Sequence, residues 1–401
     1  MSSEGLSRAR LARMHDVMSG HVVRGDVPGM VTLVGRRGEA HVQAIGMMTI
    51  GGSQPMRRDT IFRIASLTKP ITAAATMILV EECKLRLDEP VDEFLPELAR
   101  RRVLTRLDSP LDETVPAKRS ITVRDLLTFR MGFGSVMAPP GTYPIQKAMR
   151  ELQIGGDGPP HPAETCTPDE WIRRLGSLPL MHQPGERWLY HTGSDVLGVL
   201  IGRASGRPFE TFLYERIFGP LGMIDTAFSV PPEKVDRLPG CYRRNHQTGA
   251  LEVYDDAGNS EWSRPPPFPS GGGGLVSTVD DYFAFCRMML DKGRHGRERI
   301  LSRPSVELMT TDQLTPEQKT GAEIFFGEHS SWGFGVAITT RRTELWPVGR
   351  FGWDGGLGTS AYSDPTEDMV GILMTQRLME SPQPPRAFVD FWTSAYQAID
   401  D

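Results

Sequence analysis

The segment SLTKPITAAATMILVEECKL, Ser66 to Leu85, restricts this chain's fold more than any other. Its alanines and long apolar residues, with no central glycine, specify a helix. The apolar run Ile71 to Val80 is far shorter than the roughly 20 residues of a membrane span, so the helix must be buried in protein. Pro70 is tolerable because a helix starting near Leu67 has no intrahelical acceptor for the N–H groups of its first turn.

Around this helix the pattern is strand-like at both ends of the chain. GMVTLVGRRGEAHVQAIG reads as two strands about a turn at Arg36, Arg37 and Gly38, and Thr60 to Ile64 as a short strand. Strand signals return at Trp332 to Ile338, Gly358 to Ser363 and Met369 to Thr375. A first helix with Leu6, Leu11, Met14 and Val17 on one face and a last helix from Arg386 to Ile399 flank them. Between Asp88 and Pro267 helical patterns at Val123–Phe129, Asp169–Leu175, Asp195–Ala204 and Pro208–Ile217 are joined by loops rich in proline and glycine. Thr278 to Leu290 reads as another helix beyond SRPPPFPSGGGG. The expectation is a discontinuous α/β domain of residues 1–87 and 268–401, with residues 88–267 as a mostly helical inserted domain.

The formal net charge of −5 over 401 residues gives no electrostatic footprint for nucleic acid. The first residues lack an apolar signal core, which reads as a cytoplasmic protein with no membrane partner. Cys83, Cys166, Cys241 and Cys286 lie far apart and fit free buried thiols. Nine histidines without His-Glu-x-x-His spacing offer no metal site, and no cofactor is called for. Gly-x-Ser-x-Gly, the elbow of α/β-hydrolases, is absent.

Ser66 is the one serine followed three residues later by a lysine, Lys69, and the pair opens the apolar helix. One turn sets residues i and i+3 side by side, so the amine can reach the hydroxyl, and N–H groups at a helix start favour developing negative charge. A lysine accepts a proton only where burial populates its neutral form. Taken alone, the motif is equally a capping serine with a surface lysine.

The order Ser66-Leu67-Thr68-Lys69, ITVRDLLTFRMGFG, PGERWLYHTGSDVLGVLIGRASGRPFETFLYERIFGPLGMIDTAF and GGGGLVSTVDDYFAFCRMML resembles the class C β-lactamase and family VIII carboxylesterase group from about Val27 to the C-terminus. The resemblance implies a β-lactamase/transpeptidase-like fold, an antiparallel sheet flanked by the terminal helices, and a serine hydrolase acting through an acyl-Ser66 intermediate. It matches Tyr190 to the family's site tyrosine, a proton shuttle if a nearby lysine charge lowers its phenol pKa. Thr192 stands where β-lactamases carry an asparagine that binds the substrate's side-chain amide. The literal Lys319-Thr320-Gly321 lies too early to be the family's Lys-Thr-Gly. At the matching place stands Gly352-Trp353-Asp354-Gly355-Gly356, which looks like the esterase Trp-Gly-Gly variant with Asp354 as a departure. There Gly356 N–H, with that of Ser66, would form the oxyanion hole, and Trp353, Gly355 and His191 would line the substrate site, His191 as a wall residue.

These residues point to a carboxylesterase for short- to medium-chain esters, with Lys69 either the base or the electrostatic partner of Tyr190. A β-lactamase or D-Ala peptidase and an acyl transferase share the intermediate, and a non-catalytic binding relative is the remaining class. Selectivity belongs to the helical region, chiefly Met137 to Pro162. Oligomeric state is open, self-association included.

Overall fold

Residues 5–155 and 160–401 are described by the computed structural model. β1 (Gly29–Arg36) and β2 (Glu39–Gly46) form the expected hairpin. Arg37 and Gly38 both take positive φ at its tip, the two-residue turn whose twist suits paired strands. Five strands from the other end of the chain complete the sheet: β3 (Ser330–Trp332), β4 (Ala337–Thr339), β5 (Phe351–Gly355), β6 (Thr359–Asp364) and β7 (Met369–Thr375). Their order is β3-β4-β5-β6-β7-β1-β2, antiparallel throughout.

Both sheet faces are covered. Met30 and Val34 of β1 join a core with α1 (Arg8–Val23) and the C-terminal helix of residues Arg386–Gln397, while Val31 and Leu33 point into the larger core around α2 (Thr68–Glu81). This explains why β1 and β7 are buried at every residue instead of alternating. On α1 the buried stripe is Leu11, Met14 and Met18, whereas Val17 is exposed and Leu6 precedes the helix. Met18 lies seven residues from Leu11, on the same face at 3.6 residues per turn; Val17 is rotated off it.

Trp332 to Ile338, expected as one strand, is instead the tight hairpin β3–β4. Gly335 at its tip has φ 72°, and a Cβ there would lie 2.6 Å from that of Ala73 and 2.8 Å from the Lys69 carbonyl oxygen. The close approach of this turn to α2 breaks the strand. The Thr60–Ile64 strand contracts to Phe62–Arg63, paired with Val276–Ser277. Pro208 to Ile217 is a short helix, Phe209–Leu213, running into a widened π turn at Tyr214–Phe218. Of the cysteines, Cys241 and Cys286 are buried, Cys166 is half-buried and Cys83 is exposed, so the expectation of burial fails for the last. No described helix is long and apolar enough to cross a membrane.

α2 is the centre of the molecule, buried from Thr68 through Leu79. α3 (Thr192–Ser205), which starts three residues earlier than its apolar pattern, packs along it. Pro70 sits within the first turn of α2, as its missing N–H requires.

Candidate active site

Ser66 lies in a single 3-10 turn, Ala65–Leu67, that runs directly into α2. Ala65 has φ 46°, a strained value for a residue with a Cβ. The turn is held from several sides: Thr359 Oγ1 donates to the Ile64 carbonyl at 3.0 Å and Tyr282 Oη to that of Leu67 at 2.9 Å.

Lys69 is completely buried, one turn on. Its Nζ is 2.8 Å from Ser66 Oγ, 2.6 Å from the Gly272 carbonyl oxygen and 3.1 Å from His191 Nδ1. Burial pulls the ammonium down to about 7, against the charge of Asp195, which works the other way. A neutral amine bears one lone pair and two hydrogens. If the Gly272 carbonyl and His191 Nδ1 both accept from it, its lone pair faces Ser66 Oγ, an arrangement that would suit a base beside a nucleophile.

Tyr190 Oη donates to Ser66 Oγ at 2.8 Å and accepts from Trp353 Nε1 at 2.8 Å. The lowered phenol pKa on which the shuttle reading was conditioned is not what its surroundings favour. Burial pushes it up to about 12, outweighing the hydrogen bonds with Ser66 and Trp353. Its ring is clamped by Trp188 (5.6 Å), Phe325 (4.9 Å) and Trp353 (5.7 Å between centroids), an apolar setting that penalises phenolate. Tyr190 therefore keeps its proton at neutral pH. Ser66 Oγ thus accepts from Tyr190 Oη and lies 2.8 Å from Lys69 Nζ, to which it can donate when the amine is neutral.

His191 lines the cavity, and its Nδ1 also contacts Lys69. At φ 82° and ψ −63°, with Thr192 N–H donating to the Tyr190 carbonyl at 3.2 Å, His191 is the centre of a γ-turn, a rare and strained conformation. Its Nε2 lies 3.0 Å from Asp195 Oδ2. Asp195 Oδ1 accepts from Ser270 Oγ at 2.6 Å and Gly272 N–H at 2.9 Å. Burial works upward on the Asp195 carboxyl, but the His191 ring and these donors hold it below the usual range. Sequence reading missed Asp195. The available signal was local: His191 and Asp195 are four residues apart, one just before and one within the first turn of a helix that begins at Thr192.

β5 and the turn that follows it bring Trp353, Gly355 and Gly356 beside the Ser66 turn. A Cβ at Gly355 would fall 2.4 Å from the Ile64 carbonyl oxygen, so glycine there lets the strand press against the nucleophile's turn. Gly356 is exposed, with open space where its Cβ would be, and lines the same cavity as Ser66, Tyr190, His191 and Trp353. Asp354 is held up to about 6 by burial. Lys319 and Thr320 sit in a turn outside the cavity lining, the Thr320 carbonyl accepting from Arg187.

The cavity measures about 1870 Å³, with Met137, Met149, Trp171, Phe268, Phe325 and Leu378 among its walls. It is larger than the ordinary 300–1,000 Å³ ligand site. Four residues of the Met137–Pro162 region, 156–159, lie outside the described residues; the remainder includes the helix Pro144–Glu151 on the cavity's flank. Among the described residues no group of His, Cys, Asp and Glu could hold a metal ion.

The Beta-lactamase family model matches residues 13–389. The chain belongs to that family. It is a serine hydrolase of the β-lactamase/transpeptidase-like fold. Over 88% of its length this β-lactamase-family chain is 39% identical to an uncharacterized protein of Mycobacterium tuberculosis, covering 86% of that protein. It is 29% identical to Esterase EstB of Burkholderia gladioli, over 95% of this chain and 94% of the esterase. Among solved structures it superimposes on EstCE1, a hydrolase with promiscuous acyltransferase activity, with a TM-score of 0.82, 24% identity and coverage of 97% and 99% of the two chains.

Replacing Tyr190 with phenylalanine is expected to lower turnover about a hundredfold while the aromatic clamp keeps the fold, as thermal unfolding beside steady-state kinetics will show. Wild-type turnover in that variant would remove Tyr190 from proton transfer.

Proposed function

We propose that the protein is a carboxylesterase working by double displacement on Ser66. The observation that carries this reading is a completely buried Lys69 amine 2.8 Å from Ser66 Oγ, which Tyr190 Oη also contacts at 2.8 Å. Ser66 Oγ attacks the ester carbonyl as its proton passes to Lys69 Nζ, and the N–H groups of Ser66 and Gly356 hold the oxyanion. The C–O bond to the alcohol then breaks as Tyr190 Oη gives its proton to the leaving oxygen and is reprotonated from Lys69. Water repeats the sequence to release the acid.

Similarity to Esterase EstB supports an ester substrate. Trp353, an uncharged indole where β-lactamases present a lysine, and Thr192, in place of their asparagine, remove two groups that would grip a β-lactam. The cavity's apolar walls suit esters bulkier than the simplest test compounds. Wild type is expected to hydrolyse p-nitrophenyl butyrate and leave a chromogenic cephalosporin nearly untouched. A clear preference for the cephalosporin would make the protein a β-lactamase.

A second reading, acyl transfer from the same intermediate, draws support from the promiscuous acyltransferase activity printed for EstCE1. An added alcohol then competes with water, and the ratio of ester to acid in the products measures it.

A further inference from the structure

We propose that Asp195 and His191 form a positioning pair that aims the Lys69 lone pair at Ser66, by fixing the His191 tautomer whose Nδ1 is bare. This rests on Ser66 and Lys69 being nucleophile and base, and adds to them two residues that act through the lysine. Asp195 Oδ2 lies 3.0 Å from Nε2, and a ring hydrogen drawn there by the carboxylate leaves Nδ1, 3.1 Å from the amine, free to accept. The loop at Ser270–Gly272 ties the pair to the lysine a second time, because Gly272 N–H binds Asp195 Oδ1 while its carbonyl binds Nζ. The γ-turn at His191 is the strain accepted to bring Tyr190 and His191 to the site together.

The two oxygens of Asp195 have separate tasks, so Asp195→Asn is a specific probe. Its Oδ1 can keep Ser270 and Gly272, and its NH2 group then faces Nε2. His191 must answer as an acceptor there and carry its hydrogen on Nδ1, pointing at Lys69. The neutral amine would turn its lone pair toward that hydrogen and away from Ser66. The groups facing Nζ are Ser66 from its own segment, Tyr190 and His191 at the start of α3, Asp195 within α3 and the Gly272 carbonyl. Asp195 is the carboxylate among them, and its removal also disfavours the ammonium.

The test is the rate at which a fluorophosphonate probe labels Ser66, followed from pH 5 to 9 and read by mass spectrometry, which frees it from substrate preference. Asp195→Asn is expected to slow the plateau rate by roughly tenfold or more and to move the acid limb to lower pH. His191→Ala loses less, and in its background Asp195→Asn is expected to add no more than about a factor of two. His191→Asn, whose side-chain oxygen restores the acceptor, should recover much of the alanine variant's loss and tests the idea even if Asp195→Asn fails to fold. Undiminished labelling in Asp195→Asn, a full additional loss in the His191→Ala background, or an asparagine no better than alanine at 191 would each overturn the pair. Wild type that is never labelled at Ser66 would instead overturn the proposed nucleophile.

Discussion

Ser66→Ala is expected to lower ester hydrolysis by on the order of 10⁵-fold, leaving a residue of activity from the oxyanion donors and binding alone. The size follows from the geometry. Tyr190 donates to Ser66 Oγ and Lys69 Nζ lies beside it, so removing that oxygen disables the whole unit instead of one contact. The fold should be nearly unaffected. Ser66 is half-buried on the cavity wall, and Tyr190 Oη keeps its bond from Trp353 Nε1. The check is steady-state kinetics with thermal unfolding, together with the mass of the protein after reaction with a fluorophosphonate: one adduct in wild type, none in the variant. An alanine variant within about a hundredfold of wild type would mean that another residue is the nucleophile.

The second large effect is pH dependence. The folded pKa of Lys69 is lowered to about 7, and in the proposed mechanism its neutral form is the active one. Activity is therefore fully present above that value and lost below it, so kcat/KM should fall close to tenfold per pH unit on the acid side, with an apparent pKa near 7. Tyr190, pushed up to about 12, adds no limb in the working range. Lys69→Met is expected to lose about 10³-fold or more and to have no acid limb, because no base remains to titrate. A profile flat from pH 5 to 9 in wild type would show that Lys69 acts charged, as the electrostatic partner of Tyr190.

The differing standing of these residues reflects how far apart in the chain their partners lie. Ser66 and Lys69 were legible because their contact is made within one helical turn. The buried helix, the β1–β2 hairpin and strand β7 were legible for the same reason, since periodicity, turn chemistry and apolar runs are local. Tyr190, Trp353 and Gly356 came from resemblance, as nothing in their own neighbourhoods marks them.

What the sequence by itself determined is a serine and a lysine one turn apart at the start of a buried helix, the candidate nucleophile and base, and a sheet assembled from both ends of the chain. Tertiary structure alone decided how that site is tuned. Lys69 and His191 are 122 residues apart and meet because α3 begins against α2; Tyr190 is 163 residues from Trp353 and meets it through β5. The environment follows from those long-range contacts: aromatic rings that keep the phenol protonated, burial that frees the lysine's lone pair, and a loop carbonyl that directs it. Charge states depend on what is excluded from around a group, and exclusion is a property of packing in space.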